Sequence, residues 1–168
     1  MARTYEGTLS APAQGRRYAI AASRFNQLVV DRLVAGALGE LRRHGVGADD
    51  VDLAWVPGSF ELPVVVARLA ASGRYAGIVA LGTVVRGETP HFDYVAGEAA
   101  SGLAAVAREH GIPVGFGVLT TETMAQALDR AGGKAGNKGA EAAATVLEMA
   151  SLLEAIDKGA GEDVPPSA

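Results

Sequence analysis

The chain has 168 residues, enough for one domain with a substantial core. Hydrophobic residues make up 49% but aromatics only 5%, so the core must be built from Ala, Val, Leu and Ile. A formal net charge of −4 argues against a nucleic-acid partner, and the absence of cysteine excludes disulfides, a thiolate nucleophile and cysteine-ligated metals.

The amino terminus, Met1-Ala2-Arg3-Thr4-Tyr5-Glu6, lacks the apolar core of a signal peptide. No run approaches the roughly 20 apolar residues that span a bilayer. The expectation is a cytoplasmic protein without a membrane partner. Met1 to Gln14 reads as an extended arm, with strand-like alternation from Thr4 to Leu9 and no local partner. Such an orphan strand often adds to a neighbouring subunit's sheet, although a frayed terminus reads the same way.

Arg17 to Ala22 is a buried-type strand, and Asn26 is placed to cap a helix over Gln27 to His44 that Gly45 ends. Val51 to Val56 is the second strand. After the turn Pro57-Gly58-Ser59-Phe60-Glu61 a helix runs from Leu62 to Ser72, with Pro63 tolerated in its first turn. Tyr75 to Val85 is the third strand, and it opens into Arg86-Gly87-Glu88-Thr89-Pro90-His91 ahead of a helix over Tyr94 to His110. The fourth strand, Pro113 to Leu119, is followed by Thr120-Thr121-Glu122 as a cap for a helix over Met124 to Arg130. A Gly/Lys loop from Gly132 to Gly139 leads to a last helix, Ala140 to about Asp157. Gly159 to Ala168, with Pro165-Pro166, reads as a disordered tail after a single domain over residues 1–158.

Apolar strands alternating with helices mean a parallel sheet covered on both faces. The fold class is α/β: a flavodoxin-like, three-layer α/β/α sandwich with a four-stranded parallel sheet, plus the arm's strand for a neighbour. In such sheets ligands gather at the carboxyl ends of the strands. Those ends carry Arg24, Phe25 and Asn26; Ser59, Phe60 and Glu61; Thr83, Arg86, Thr89 and His91; and Phe116, Thr120 and Thr121. His91 is the acid/base candidate there, because imidazole titrates near neutral pH. His44 and His110 fall in last helical turns, where a cation is favoured by the helix dipole. Arg86 and Arg130 could each hold an anion through two parallel hydrogen bonds, and a planar ligand could stack on Phe25 or Phe60. Gly132-Gly133-Lys134-Ala135 is no P-loop, no G-x-G-x-x-G opens the first helix, and no two histidines have metal-ligand spacing.

The blocks Ser23 to Asn26, Trp55 to Glu61, Leu81 to Gly87 with His91 to Tyr94, Phe116 to Glu122 and Arg130 to Gly139 together resemble the lumazine synthase family, over about Tyr5 to Ile156. The resemblance implies a transferase of riboflavin biosynthesis. Such an enzyme condenses 5-amino-6-(D-ribitylamino)uracil with L-3,4-dihydroxy-2-butanone 4-phosphate to 6,7-dimethyl-8-ribityllumazine, releasing phosphate and water without cofactor or metal. It implies His91 as general acid/base. The pyrimidine and its ribityl chain would be bound by Phe25, Asn26, Ser59, Phe60, Glu61, Thr83, Val84 and Val85, with Phe116 and Lys138. The butanone phosphate would be held by Glu88, Thr89 and Arg130. In this family Phe116, Arg130 and Lys138 come from an adjacent subunit, so the resemblance also implies a homo-oligomer. Its unit is a pentamer, in some members built into an icosahedral sixty-subunit shell and associated with riboflavin synthase. The compact Gly133 to Gly139 loop resembles the shell-forming members. Glu88 is the odd residue, a carboxylate beside a phosphate unless its backbone N–H does the binding. Two other readings stand beside this one: a lumazine- or flavin-binding carrier or shell protein on the same fold, and an unrelated flavodoxin-like regulator.

Overall fold

Tyr18-Ala19-Ile20-Ala21-Ala22 is an unbroken run of fully buried residues, as suits a parallel strand covered on both faces. In the computed structural model, which describes residues 3–10 and 16–163, it lies within β1 (Arg17–Ser23). There follow α1 (Gln27–Arg43), β2 (Val51–Val56), α2 (Leu62–Ala71), β3 (Tyr75–Val85), α3 (His91–His110), β4 (Val114–Thr121), α4 (Met124–Arg130) and α5 (Lys138–Asp157). The strands form one four-stranded parallel sheet in the order β2-β1-β3-β4. Strand alternation divides the core in two. Ile20 and Ala22 pack with Leu33 of α1 and Val146 of α5, while Ala19 and Ala21 pack with Val66 of α2 and Leu103 of α3. The three-layer α/β/α sandwich read from the sequence is therefore the fold.

Small side chains let the layers approach closely. At the start of α5, a Cβ on Gly139 would sit 2.7 Å from the carbonyl carbon of Leu33, so α1 and α5 touch backbone to backbone. Left-handed glycines end α1 and α3, Gly45 at φ 93 and Gly111 at φ 59. Below the sheet, at the amino ends of the strands, Asp52 ties three strands together. It accepts from Arg17 Nη2 at 2.5 Å and from the Tyr75 hydroxyl at 2.6 Å. Those bonds, Tyr75's first and then Arg17's, hold its carboxyl below the usual range.

Several element ends differ from the sequence reading. β4 continues through Thr120 and Thr121 because both pair with β3, at Val84 and Val85. The cap of α4 is consequently Thr123, whose Oγ1 accepts from the Gln126 N–H at 3.2 Å while Gln126 Oε1 accepts from the Thr123 N–H. α3 begins at His91, ahead of Tyr94. α5 begins at Lys138 under an Asn137 cap, whose Oδ1 accepts from the N–H groups of Gly139 and Ala140.

Within one chain, among the described residues, no ladder forms over residues 5–9, the part of the arm read as a strand for a neighbouring subunit's sheet. Instead Arg3–Thr4 pairs antiparallel with Glu162–Asp163, in the segment read as unstructured. The rest of the described arm lies along α5. The Thr8 N–H donates to Ser151 Oγ at 2.6 Å, and Ser151 Oγ donates back to the Thr8 carbonyl at 3.0 Å. The expectations placed on residues 1–2, 11–15 and 164–168, Pro165-Pro166 included, lie outside the described residues. Among the described residues no helix is long and apolar enough to cross a membrane.

Candidate active site

The strand order reverses between β1 and β3, and an open α/β sheet leaves its crevice at such a point. The turns beyond the strands are laced together there. The Arg24 N–H donates to the Val56 carbonyl at 2.8 Å and the Phe25 N–H to the Pro57 carbonyl at 3.1 Å, which ties the turn after β1 to the turn after β2. Asn26 was read as a side-chain cap for α1, but it makes no capping bond. It sits in the left-handed region at φ 58, its main-chain carbonyl accepting from the N–H groups of Val29 and Val30. Its side chain donates instead to the Thr83 carbonyl at 3.1 Å, bracing the end of β3. Asparagine tolerates left-handed backbone better than most residues, which suits it to this double duty.

These turns enclose a cavity of about 650 Å³, in the range of small-molecule sites. The turn after β1 contributes the Phe25 ring, 70% exposed, and the turn after β2 contributes Ser59, Phe60 and Glu61. Thr83, Val84 and Val85 form the wall at the end of β3, with Thr89 and His91 on the turn beyond. The structure thus brings nine of the candidate residues to one cavity: Phe25, Ser59, Phe60, Glu61, Thr83, Val84, Val85, Thr89 and His91. Asn26, Glu88, Phe116, Arg130 and Lys138 do not line it.

Two walls of the cavity are in unusually tight contact. A Cβ at Gly82 on β3 would overlap Ser59 Oγ and lie 3.2 Å from Ser23 Oγ. Ser23, Ser59 and Thr83 are all buried, and their hydroxyls have no partner among the described residues. Ser59 and Thr83 lie on the cavity wall, where buried donors and acceptors left open suit a polar ligand.

The cations are elsewhere. No Arg or Lys lines the cavity among the described residues. Arg86, the nearest in sequence, is committed to carboxylates: its Nε lies 3.0 Å from Glu122 and its Nη2 3.4 Å from Asp93. The bond to Glu122, ahead of other charges, raises its already high pKa. Glu88 is exposed and is not Arg86's partner. Arg130 donates to the Gln126 carbonyl of its own helix at 3.1 Å, and Lys138 pairs with Glu141 at 2.6 Å. Phe116 stands 49% exposed on the edge strand β4. His44 is bonded to Glu40 at 3.0 Å, in line with its structural reading. Sequence reasoning did not assign Phe92, Tyr94 and Val95 to the cavity, although they line it. All three belong to the opening of α3, which starts at His91, ahead of the expected Tyr94.

The model of one protein family, described as 6,7-dimethyl-8-ribityllumazine synthase, matches residues 15–154. A protein of that name from Nitratidesulfovibrio vulgaris is 54% identical over 154 residues, covering 92% of this chain and 97% of the relative. One from Edwardsiella ictaluri is 57% identical over 155 residues, covering 92% and 98%. With the match running through every turn that builds the cavity, the chain belongs to the 6,7-dimethyl-8-ribityllumazine synthase family and is an enzyme of the transferase class.

Proposed function

We propose that this enzyme makes 6,7-dimethyl-8-ribityllumazine in riboflavin biosynthesis, from 5-amino-6-(D-ribitylamino)uracil and L-3,4-dihydroxy-2-butanone 4-phosphate. The observation that carries the reading is the convergence of His91 and Thr89 with Phe25, Phe60 and Glu61 on one cavity. The aromatic rings suit a stacked pyrimidine. Glu61 can accept hydrogen bonds from the ribityl hydroxyls, and the hydroxyls of Ser59 and Thr83, buried in the wall and unpartnered among the described residues, can turn toward the ring's polar edge. Thr89 and backbone N–H groups of the Gly87 to Thr89 turn suit the phosphate.

Each chemical step moves protons. The pyrimidine amine attacks the butanone carbonyl and the imine forms with loss of water. Loss of phosphate then breaks a C–O bond as a proton leaves carbon. The enol left behind tautomerises to a ketone, and attack of the ribityl-bearing nitrogen on that carbonyl, with loss of a second water, closes the second ring. His91 can give and take these protons in turn, while holding the substrates together supplies much of the rate.

The phosphate's charge needs a cation that the cavity of a single chain does not present among the described residues. We therefore place Arg130, with Phe116 and Lys138, as contributions from an adjacent subunit of a pentamer, in which rings of such sites close. The edge strand β2 is paired on one side only among the described residues, and Leu53 on it is 39% exposed, which leaves room for a neighbour's arm. Assembly of pentamers into an icosahedral shell, association with riboflavin synthase and a cytoplasmic location complete the reading.

Incubating the protein with both substrates should give lumazine fluorescence well above the spontaneous reaction. A rate equal to the protein-free control would leave the family fold without this activity. Gly82→Ala should raise the KM for the pyrimidine about tenfold, the loss of roughly one well-placed hydrogen bond, because the new methyl drives Ser59 out of its position. In a Ser59→Gly background the same substitution should cost less than about threefold. Equal costs in both backgrounds would show that Gly82 does not act through Ser59.

A further inference from the structure

The segment Gly87 to Phe92 carries Thr89 and His91, yet its own residues offer little to fix it, since Gly87 to His91 are all exposed. What closes the segment is Arg86. Its backbone N–H donates to the Thr121 carbonyl at 2.9 Å, which anchors the end of β3 to the end of β4. Its guanidinium then spans three groups. Nε reaches Glu122 at 3.0 Å, Nη2 reaches Asp93 at 3.4 Å, and the plane lies 4.3 Å from the centroid of the Phe92 ring. Phe92 and Asp93 directly follow His91 in the first turn of α3, and the Asp93 N–H donates back to the Pro90 carbonyl at 3.0 Å. One side chain therefore joins both ends of the His91 segment to each other and to the loop after β4.

Such a cluster has little to do with holding the fold. Arg86, Asp93 and Glu122 side chains are 39%, 61% and 62% exposed, and ion pairs that wet contribute little to stability. Geometry is another matter. Arginine's planar fork fixes two carboxylates and a ring at once, which a lysine's point charge cannot do, and reacting groups misplaced by about an ångström can lose as much as a hundredfold in rate.

We propose that Arg86 is a positioning residue for His91: it holds the first turn of α3 against the ends of β3 and β4, so that the imidazole faces the cavity. The sequence motif offered Arg86 as an anion ligand. With both carboxylates on its guanidinium, it acts on the proton-transfer group and not on the phosphate. This inference rests on the reading of His91 as the general acid/base.

The test is a double-mutant cycle on the full-length enzyme. Arg86→Gln should lower kcat about tenfold and leave the KM for the pyrimidine within about twofold, because Phe25, Ser59, Phe60 and Glu61 lie on other turns. Its thermal midpoint should move by no more than about 3 °C. Arg86→Lys should recover only part of the loss. In a His91→Ala background, measured by single turnover at high enzyme concentration, Arg86→Gln should cost less than about twofold, since no imidazole remains to be placed. Full kcat in Arg86→Gln would overturn the proposal. So would the same tenfold loss with and without His91, which would mean that Arg86 acts on the phosphate or the fold. If His91→Ala alone kept native kcat, the underlying reading of His91 would fall instead, and the two failures are told apart by that single variant.

Discussion

Replacing His91 with alanine is expected to lower kcat by about 10² to 10³-fold, within the range that a positioned general acid/base contributes. The expectation follows from where the imidazole is. It is the first residue of α3 at the cavity's rim, exposed enough to meet both substrates, and the two residues after it, Phe92 and Asp93, are both engaged by Arg86. The carboxylate-bonded histidine of the described residues is His44, just past the end of α1, so His91 is not committed to a structural ion pair. The loss should fall on kcat, because the rings and polar groups that would bind the pyrimidine are on the turns after β1 and β2. Steady-state lumazine formation with each substrate varied in turn measures it. A variant within twofold of native kcat would remove His91 from the chemistry. The residual rate should still exceed the spontaneous one, since the cavity continues to hold the two reactants side by side.

The fold was legible because its signals are local and redundant. The continuous apolar runs Tyr18 to Ala22 and Tyr75 to Val85 have the pattern of strands buried on two faces, and both are such strands. Element ends were less legible where a tertiary contact decides them. Thr120 and Thr121 look like capping residues in isolation but are drawn into the ladder by Val84 and Val85. Asn26 has the composition of a cap, yet the Thr83 carbonyl from a strand 57 positions away takes its side chain. The arm shows the same limit, for no periodicity in Thr4 to Leu9 could reveal that Ser151 on α5 would satisfy the Thr8 backbone.

For the cavity, position at a strand's carboxyl end was a good guide to Phe25, Ser59, Phe60, Glu61, Thr83 and His91. It was a poor guide to the partners of charged groups. Arg86 follows β3 directly and has the chemistry of an anion ligand, but Asp93 and Glu122, 7 and 36 positions away, take up its guanidinium. Charge pairing of this kind depends on how two loops meet, which single-chain spacing does not encode. The consequence is that the cavity carries an imidazole, hydroxyls and aromatic rings while lacking a cation of its own among the described residues.

That gap gives the second large effect. Arg130→Ala is expected to lower kcat/KM for the butanone phosphate by about 10² to 10³-fold, as for loss of a charged group that stabilises a departing anion. Taken singly, the Arg130→Ala and His91→Ala enzymes should both be nearly inactive. Their mixture should not be. If each site takes His91 from one subunit and Arg130 from the next around a ring, co-assembling the two variants in equal amounts creates some sites with both groups intact. Each such site needs an Arg130→Ala subunit supplying His91 and a His91→Ala neighbour supplying Arg130. With random assembly roughly a quarter of the sites meet both conditions in a heterologous ring. Unfolding the two variants together, refolding them and assaying lumazine fluorescence should therefore recover about a quarter of native activity, against almost none when each is refolded alone and then mixed. Were both groups drawn from the same chain, every site would lack one of them and co-refolding would restore nothing. The measurement thus tests the shared site independently of the assembly's size, because pentamer and shell alike contain the same ring contact.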